Sequence, residues 1–393
     1  MGTTALLIAV TFVAPTHTLS NDEIDKLDST FQALWGTEFV WKFSDLPTKG
    51  NTPKHRVPYS GYYYPDKDGG TVSSLRKYDQ AFHHGRQLAT SHERWDSTAF
   101  KEPVPGLLGT LGVARTPEWY GHCNGWAAAA IRHAEPRTSV VRSGVVFSPS
   151  DIKGLLAELY VYNHHIMLGG ANEEPISAAA FHAIITNWLG RKKHSLGIEV
   201  DPSEEKWNYP AFAYATSSAK RSARRVEVTM NVAYAENSYR EWDESPIIKE
   251  IKFFHYLLDL NDKGEIIGGR FFRDSETIDM LWVPLRPKAA GVEGNERGNP
   301  YVDVDEVLAI WRDSVPEQIR RQWVTVDPAP EDEFEADSLV TSDVPLVTQV
   351  EADESETEPE TARSDASPSP PRHFSVTEVT EDPLDLFMET LNR

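Results

Sequence analysis

Apolar and polar positions change rhythm twice along this chain. From Asp22 to Phe82 aromatic residues interleave with turn formers, as in Pro58-Tyr59-Ser60-Gly61-Tyr62-Tyr63-Tyr64-Pro65 and Asp68-Gly69-Gly70, before Leu75 to Phe82 returns to helical spacing. The stretch reads as a loop-rich region packed by aromatic rings, and packing is the commoner reason for such a tyrosine cluster than a binding groove. Residues 117 to 134 then give a glycine-flanked turn, Gly121-His122-Cys123-Asn124-Gly125, running into small residues from Ala127 onward. That pattern predicts a helix with Cys123 at or near its N-terminus. A second helix is expected over Ser150 to His165, where Asp151, Leu155, Leu156, Leu159 and Tyr160 share a face.

Beyond this point the period shortens. Phe181 to Leu189 and Ser195 to Asp201 read as strands joined through Gly190-Arg191-Lys192-Lys193-His194. Arg225 to Tyr234, Ile247 to Leu260 and Glu265 to Phe272 are β-rich, with Asp262-Lys263-Gly264 as the hairpin turn between the last two. The fold class expected is α+β, helices first and an antiparallel sheet later. Asp259 to Arg270 superficially resembles a calcium loop, but Lys263 and Arg270 stand where acidic ligands belong, so it is not an EF-hand.

Composition sharpens the organisation. The formal charge of −21 is extreme, yet residues 327 to 393 hold 19 acidic residues against 3 arginines, which is −16, and leave about −5 for residues 1 to 326. An acidic tail reports disorder and solubility, and the body carries no basic stripe, so nucleic acid is not an expected partner. The short run Lys220 to Arg225 reads as a solvated strand edge. Only the segment Asp382 to Leu391 spaces Leu384, Phe387 and Leu391 as a helical face within that tail.

The expected segments are 1–20, a secretory signal or an N-terminal strand; 21–110, aromatic-rich; 111–290, a catalytic core; 291–326, a helical extension; and 327–393, the acidic disordered tail. Ala5 to Ala14 has signal length without a positive flank and is too short to span a bilayer.

The single cysteine excludes internal disulfides and multi-cysteine metal sites. A thiol at a helix N-terminus has partial positive charge and free N–H groups beside it, which favour the thiolate and give an oxyanion donor in its own amide. Were the later strands a hairpin centred between Arg191 and Lys192, His182 and Asp201 would stand opposite each other, and the carboxylate would orient the imidazole as a base for Cys123. A register slip would bring in Glu199 as the substitute orienter, with Asn187 a weaker one. His122 is a poor base for its neighbour, because adjacent side chains point apart. Trp119, Trp126 and Trp188 are candidates for an apolar substrate wall that excludes water, and Trp207, a further substrate-binding candidate, reads as an anchor packing a loop beside the active-site strands.

These residues carry a resemblance. Trp119-Tyr120-Gly121-His122-Cys123-Asn124-Gly125-Trp126-Ala127, Phe181-His182-Ala183-Ile184-Ile185-Thr186-Asn187-Trp188-Leu189-Gly190, Glu199-Val200-Asp201-Pro202-Ser203 and Lys206-Trp207-Asn208-Tyr209-Pro210 together resemble the oomycete and Vibrio transglutaminase elicitor family. Pro58 to Pro65, Lys77-Tyr78 and Ile266 to Gly269 match in order, so the resemblance spans about residues 55 to 285.

It implies a papain-like core, a helix bearing Cys123 packed on an antiparallel sheet bearing His182 and Asp201, inside a secreted protein. The implied activity is calcium-dependent transfer of a glutamine acyl group to lysine or another primary amine, with accessible protein glutamines and lysines as partners. The metal ligands are not identifiable from the sequence. The family's plant-recognised peptide is altered here, with Lys206 and Tyr209 in place of the usual Val and Gln. Two other readings stand beside transfer: a cysteine peptidase or amidase using the same triad, and a catalytically idle effector that binds a partner.

Overall fold

The computed structural model describes residues 17–99, 101–105, 111–170, 175–201, 205–323 and 327; Ala5 to Ala14 and the Asp382 to Leu391 segment lie outside them. The first helix, α1 (Asn21–Trp35), begins with a reciprocal cap: the Ser20 hydroxyl accepts from the Glu23 amide at 3.2 Å, and the Glu23 carboxylate accepts from the Ser20 amide at 2.8 Å. It buries Leu27, Phe31 and Leu34 and stops at Gly36 in the left-handed conformation, φ 62°. The loop-rich expectation therefore fails over its first turns, where a 15-residue amphipathic helix stands instead.

Helices α2 (Val72–Phe82), α3 (Leu88–Ala99), α4 (Cys123–Arg132) and α5 (Pro149–Tyr160) follow, then α6 (Ala178–Ile185), α7 (Val304–Ser314) and α8 (Glu317–Gln322). In α5 Ser148 and Asp151 form another reciprocal cap with Pro149 in the first turn, so the helix starts where expected but ends five residues before His165. The strands are β1 (His17–Thr18), β2 (Lys49–Asn51), β3 (Glu102–Pro105), β4 (Leu111–Arg115), β5 (Val140–Arg142), β6 (Val145–Phe147) and β7 (His165–Gly169). They continue with β8 (Leu196–Glu199), β9 (Asn208–Ser222), β10 (Arg225–Ala235), β11 (Lys249–Leu260), β12 (Ile266–Phe271) and β13 (Leu281–Pro284). Two small hairpins, β3–β4 and β5–β6, stand apart from the main sheet.

The main sheet has nine strands in the order β1-β12-β11-β10-β9-β8-β13-β7, with β2 beside β9. Every pairing within it is antiparallel. The long strand β9 pairs along one edge with β8 at residues 208–211 and then with β2 at 213–215. At the β9–β10 turn the basic run is ion-paired: Arg221 to Glu227 at 2.6 Å, Arg225 to Asp259 at 2.8 Å and Arg224 to Asp262 at 2.5 Å, which bears out the solvated-edge reading.

One expectation is overturned at the centre. Residues 178–185 form α6 and Thr186–Arg191 continues as a π-helical turn, so there is no strand over 181–189 and no hairpin carrying His182 to Asp201. Ser177 caps α6, its hydroxyl accepting from the Ala180 amide at 3.1 Å. All eight residues of α6 are buried, and an apolar run without a polar side shows no period from which helix and strand can be told apart. The sheet curls around this helix, since α6 packs against β11 and β12 on one flank and against β7 on the other. Helix α4 instead lies over β9, β8 and β13.

Candidate functional site

Cys123 is the first residue of α4 and is buried, 3% exposed. The two flanking glycines have a different use from the one suggested by sequence. A Cβ on Gly121 would sit 2.6 Å from the Tyr63 carbonyl oxygen, and one on Gly125 2.4 Å from the Ala157 carbonyl oxygen of α5. They let the aromatic segment and α5 close on the turn that presents the thiol, rather than opening a path for substrate.

The thiol donates to the Lys206 carbonyl at 3.4 Å, and the Asn208 side-chain amide nitrogen lies 4.0 Å from the sulfur. Asn208 is held by its other end: its amide oxygen accepts from the Trp282 indole N–H at 2.9 Å. That indole lies across Gly197, its register partner on β8, where a Cβ would come within 2.0 Å of the ring. On the far side the ring of His165 meets Trp282 edge-on at 5.3 Å.

Directly opposite Asn208 in the β8–β9 register is Glu199, so both side chains project from one face, that of Asn208 reaching toward the sulfur. One Glu199 oxygen accepts from the amides of Asp201 at 3.0 Å and Trp207 at 2.9 Å. Its other oxygen is buried without a hydrogen-bond partner. Burial pushes the Glu199 carboxyl up to about 8, against the pull of those two amides. Burial likewise pushes the Cys123 thiol up to about 11; Asn208 lowers it and the charge of Glu199 raises it further.

His182 is elsewhere. Its ring stacks on Phe43 at 5.4 Å, and its Nδ1 is 2.8 Å from the Tyr256 hydroxyl of β11. Burial alone pushes it down to about 3. The contacts of the thiol and those of this imidazole share no residue, because α6 is the centre of the curl while α4 covers the opposite strands. Asp201 stands just past β8, its amide tied to Glu199. Asn187 is also remote in function: its amide holds the backbone of Val40.

Of the four candidate tryptophans, Trp207 stands one residue past the carbonyl that meets the sulfur. It stacks on Tyr209 at 6.4 Å and meets Tyr63 at 5.4 Å. Trp126 and Trp188 are core residues, 1% and 0% exposed, the latter against Phe31 at 4.8 Å. Trp119 is half-buried against Tyr120.

His122 turns away from its neighbour, as expected, into a second buried polar cluster. Its Nε2 lies 3.3 Å from Glu93 and 3.9 Å from Asp66, and its Nδ1 3.9 Å from Glu158. Among the described residues, Glu93, His122 and Glu158 are the group whose donor atoms lie close enough to hold a metal ion. Sequence reasoning missed this cluster and the Asn208–Trp282–His165 chain, because the residues are far apart in the text and carry no shared spacing.

Comparison with known proteins agrees with this architecture. The family model described as Transglutaminase elicitor matches residues 109–172, a stretch that contains Cys123 and His165 and ends before His182. The crystal structure of the GP42 transglutaminase from Phytophthora sojae is similar, with a TM-score of 0.61 at 22% identity, covering 76% of this chain and 99% of that one. No curated protein matches. Among the described residues no helix is long and apolar enough to cross a membrane.

Proposed function

We propose that the chain is a transglutaminase-like acyl transferase with a papain-like arrangement of nucleophile helix on sheet, acting on protein glutamine and a primary amine. The carrying observation is a thiol at the first position of α4, 4.0 Å from the Asn208 amide nitrogen and within electrostatic reach of Glu199. In this reading Glu199 takes the place assigned from sequence to His182 and Asp201. Glu199 accepts the thiol proton, and the sulfur attacks the glutamine side-chain carbonyl. The S–C bond forms and the C–N bond breaks, with the Glu199 proton leaving on ammonia. An amine then attacks the thioester, gives its proton to Glu199, and the thiolate departs.

The Asn208 amide nitrogen, 4.0 Å from the sulfur, donates to the oxyanion in this reading, and the amide of Cys123 is one of the helix-start donors with no intrahelical acceptor. Trp207, Tyr63 and Tyr209 supply the apolar wall that favours amine over water. Lys206 must move before substrate reaches the sulfur, since its carbonyl occupies that approach.

The test is incorporation of a fluorescent amine into a glutamine-rich protein. Cys123→Ala should abolish it, Glu199→Gln should lower it by about 10²–10⁴, and His182→Ala with a retained fold should keep most of it. Ammonia release without incorporation would mean an amidase, and labelling unchanged in Cys123→Ala would remove the enzymatic reading. Secretion belongs to the same proposal; a mature N-terminus mapped beyond Ala14 would support it.

A further inference from the structure

Behind the nucleophile's helix the fold gathers three carboxyl groups around one imidazole. Glu93 of α3 and Glu158 of α5 are 2% and 4% exposed, and both converge on His122, itself 3% exposed. Asp66 joins them from the loop before α2, its burial, with Glu93 and Asp96 nearby, pushing its carboxyl up to about 7. Three carboxyl groups share one imidazole in a space closed to water, an arrangement that demands protons or a cation.

Two features are those of a built cation site. The His122 Nδ1 is buried with no hydrogen-bond partner and looks toward the Glu158 carboxylate. The carboxylates are also gripped from outside: Thr71 donates through its amide to Glu93 at 3.1 Å and through its hydroxyl to Glu158 at 2.5 Å, and Asn299 donates to the other Glu158 oxygen at 2.9 Å. Such outer partners orient ligating groups in metal sites. The cradle exists because position 70 lacks a side chain: at Gly70, φ +59°, a Cβ would fall 1.6 Å from a Glu93 oxygen.

We propose that Glu93, Glu158 and His122 bind one first-row divalent transition ion, of the Mn²⁺ or Zn²⁺ kind. Calcium, the metal implied by the resemblance, takes six to eight oxygens, whereas an imidazole nitrogen among carboxylates suits the later ions. Bound there, the ion ties α3 and α5 to the residue that precedes α4, and so fixes the turn carrying Cys123 without touching the sulfur.

The experiment uses the full chain carrying Cys123→Ala, which removes the thiol as a ligand and makes the outcome independent of the acyl-transfer reading. The chain is stripped with a chelator, checked by circular dichroism and titrated with Mn²⁺ followed by electron paramagnetic resonance. The expected result is one Mn²⁺ per chain with nitrogen coupling from the His122 ring. Binding should be lost in Glu93→Gln/Glu158→Gln and weakened roughly 10- to 100-fold in Asn299→Leu.

Stoichiometric Zn²⁺ found in the purified chain by mass spectrometry would also support the site. Failure of the folded, stripped chain to bind either Mn²⁺ or Zn²⁺, Mn²⁺ binding undisturbed in the double variant, absence of nitrogen coupling or tighter binding of Ca²⁺ than of Mn²⁺ would each overturn it. Should the stripped chain lose its fold, recovery with Mn²⁺ or Zn²⁺ but not Ca²⁺ supports the proposal, and any other recovery pattern refutes it.

Discussion

At the residue scale the site is governed by two acids held in their neutral forms. Glu199 shifts from its ordinary 4.5 to about 8 because burial outweighs the two amides that favour its charge. A carboxyl raised in the folded state contributes stability fully present below about pH 4.5 and lost as pH rises through about 8. Glu199 should therefore contribute to wild-type thermal melts a fall across that window worth at most about 5 kcal/mol. Glu199→Gln, which keeps the accepting oxygen, should flatten the fall; an unchanged slope would assign the pH dependence elsewhere.

Activity has the opposite sign, because Glu199 accepts a proton only when ionised. Amine incorporation should rise with pH toward about 8, and a rise retained in Glu199→Gln would argue against this carboxylate as the base. Cys123 was legible from the turn before an alanine-rich helix. Glu199 was visible only as a substitute, since its partner Asn208 is fixed by β8–β9 pairing rather than by spacing.

At the scale of elements, α4 and α5 owe their separation to a missing side chain. Gly125 has the Ala157 carbonyl where its Cβ would stand, and this carbonyl is backbone that cannot rotate aside. Gly125→Ala should destabilise the chain by about 1–3 kcal/mol, read as a lower denaturant midpoint with unchanged slope. A neutral result would show that the helices part freely.

Where an element alternates, as β10 does over most of its length, its position was legible because one face meets the core and the other is less buried. Helix α6 was not, because the curled sheet buries it on every side and erases the polar face that marks a period. The same burial explains why His182, placed by sequence on a strand opposite Asp201, pairs with Tyr256 instead.

At the scale of the whole molecule, order along the chain was legible and convergence was not. Helices α1 to α6 precede the long strands β9 to β11, though β1, β2 and β7 of the same sheet come earlier, and two late helices stand at α7 and α8. No spacing could tell that residues 66, 93, 122 and 158 meet, since loops of ordinary composition separate them and each acidic residue alone looks like solvated surface. Their meeting depends on α3 and α5 closing on the turn before α4.

The seal over the sulfur gives the protein a built-in reporter. Because the chain has one cysteine and the Lys206 carbonyl meets its sulfur, an alkylating dye can mark one position only, and only during excursions that lift the 206–208 segment. Labelling should be slow and should speed up in denaturant well below the global unfolding midpoint. Its rate, divided by that of a free thiol, measures how often the molecule opens, whether or not any glutamine is present; labelling as fast as a free thiol would show that this seal does not hold in solution.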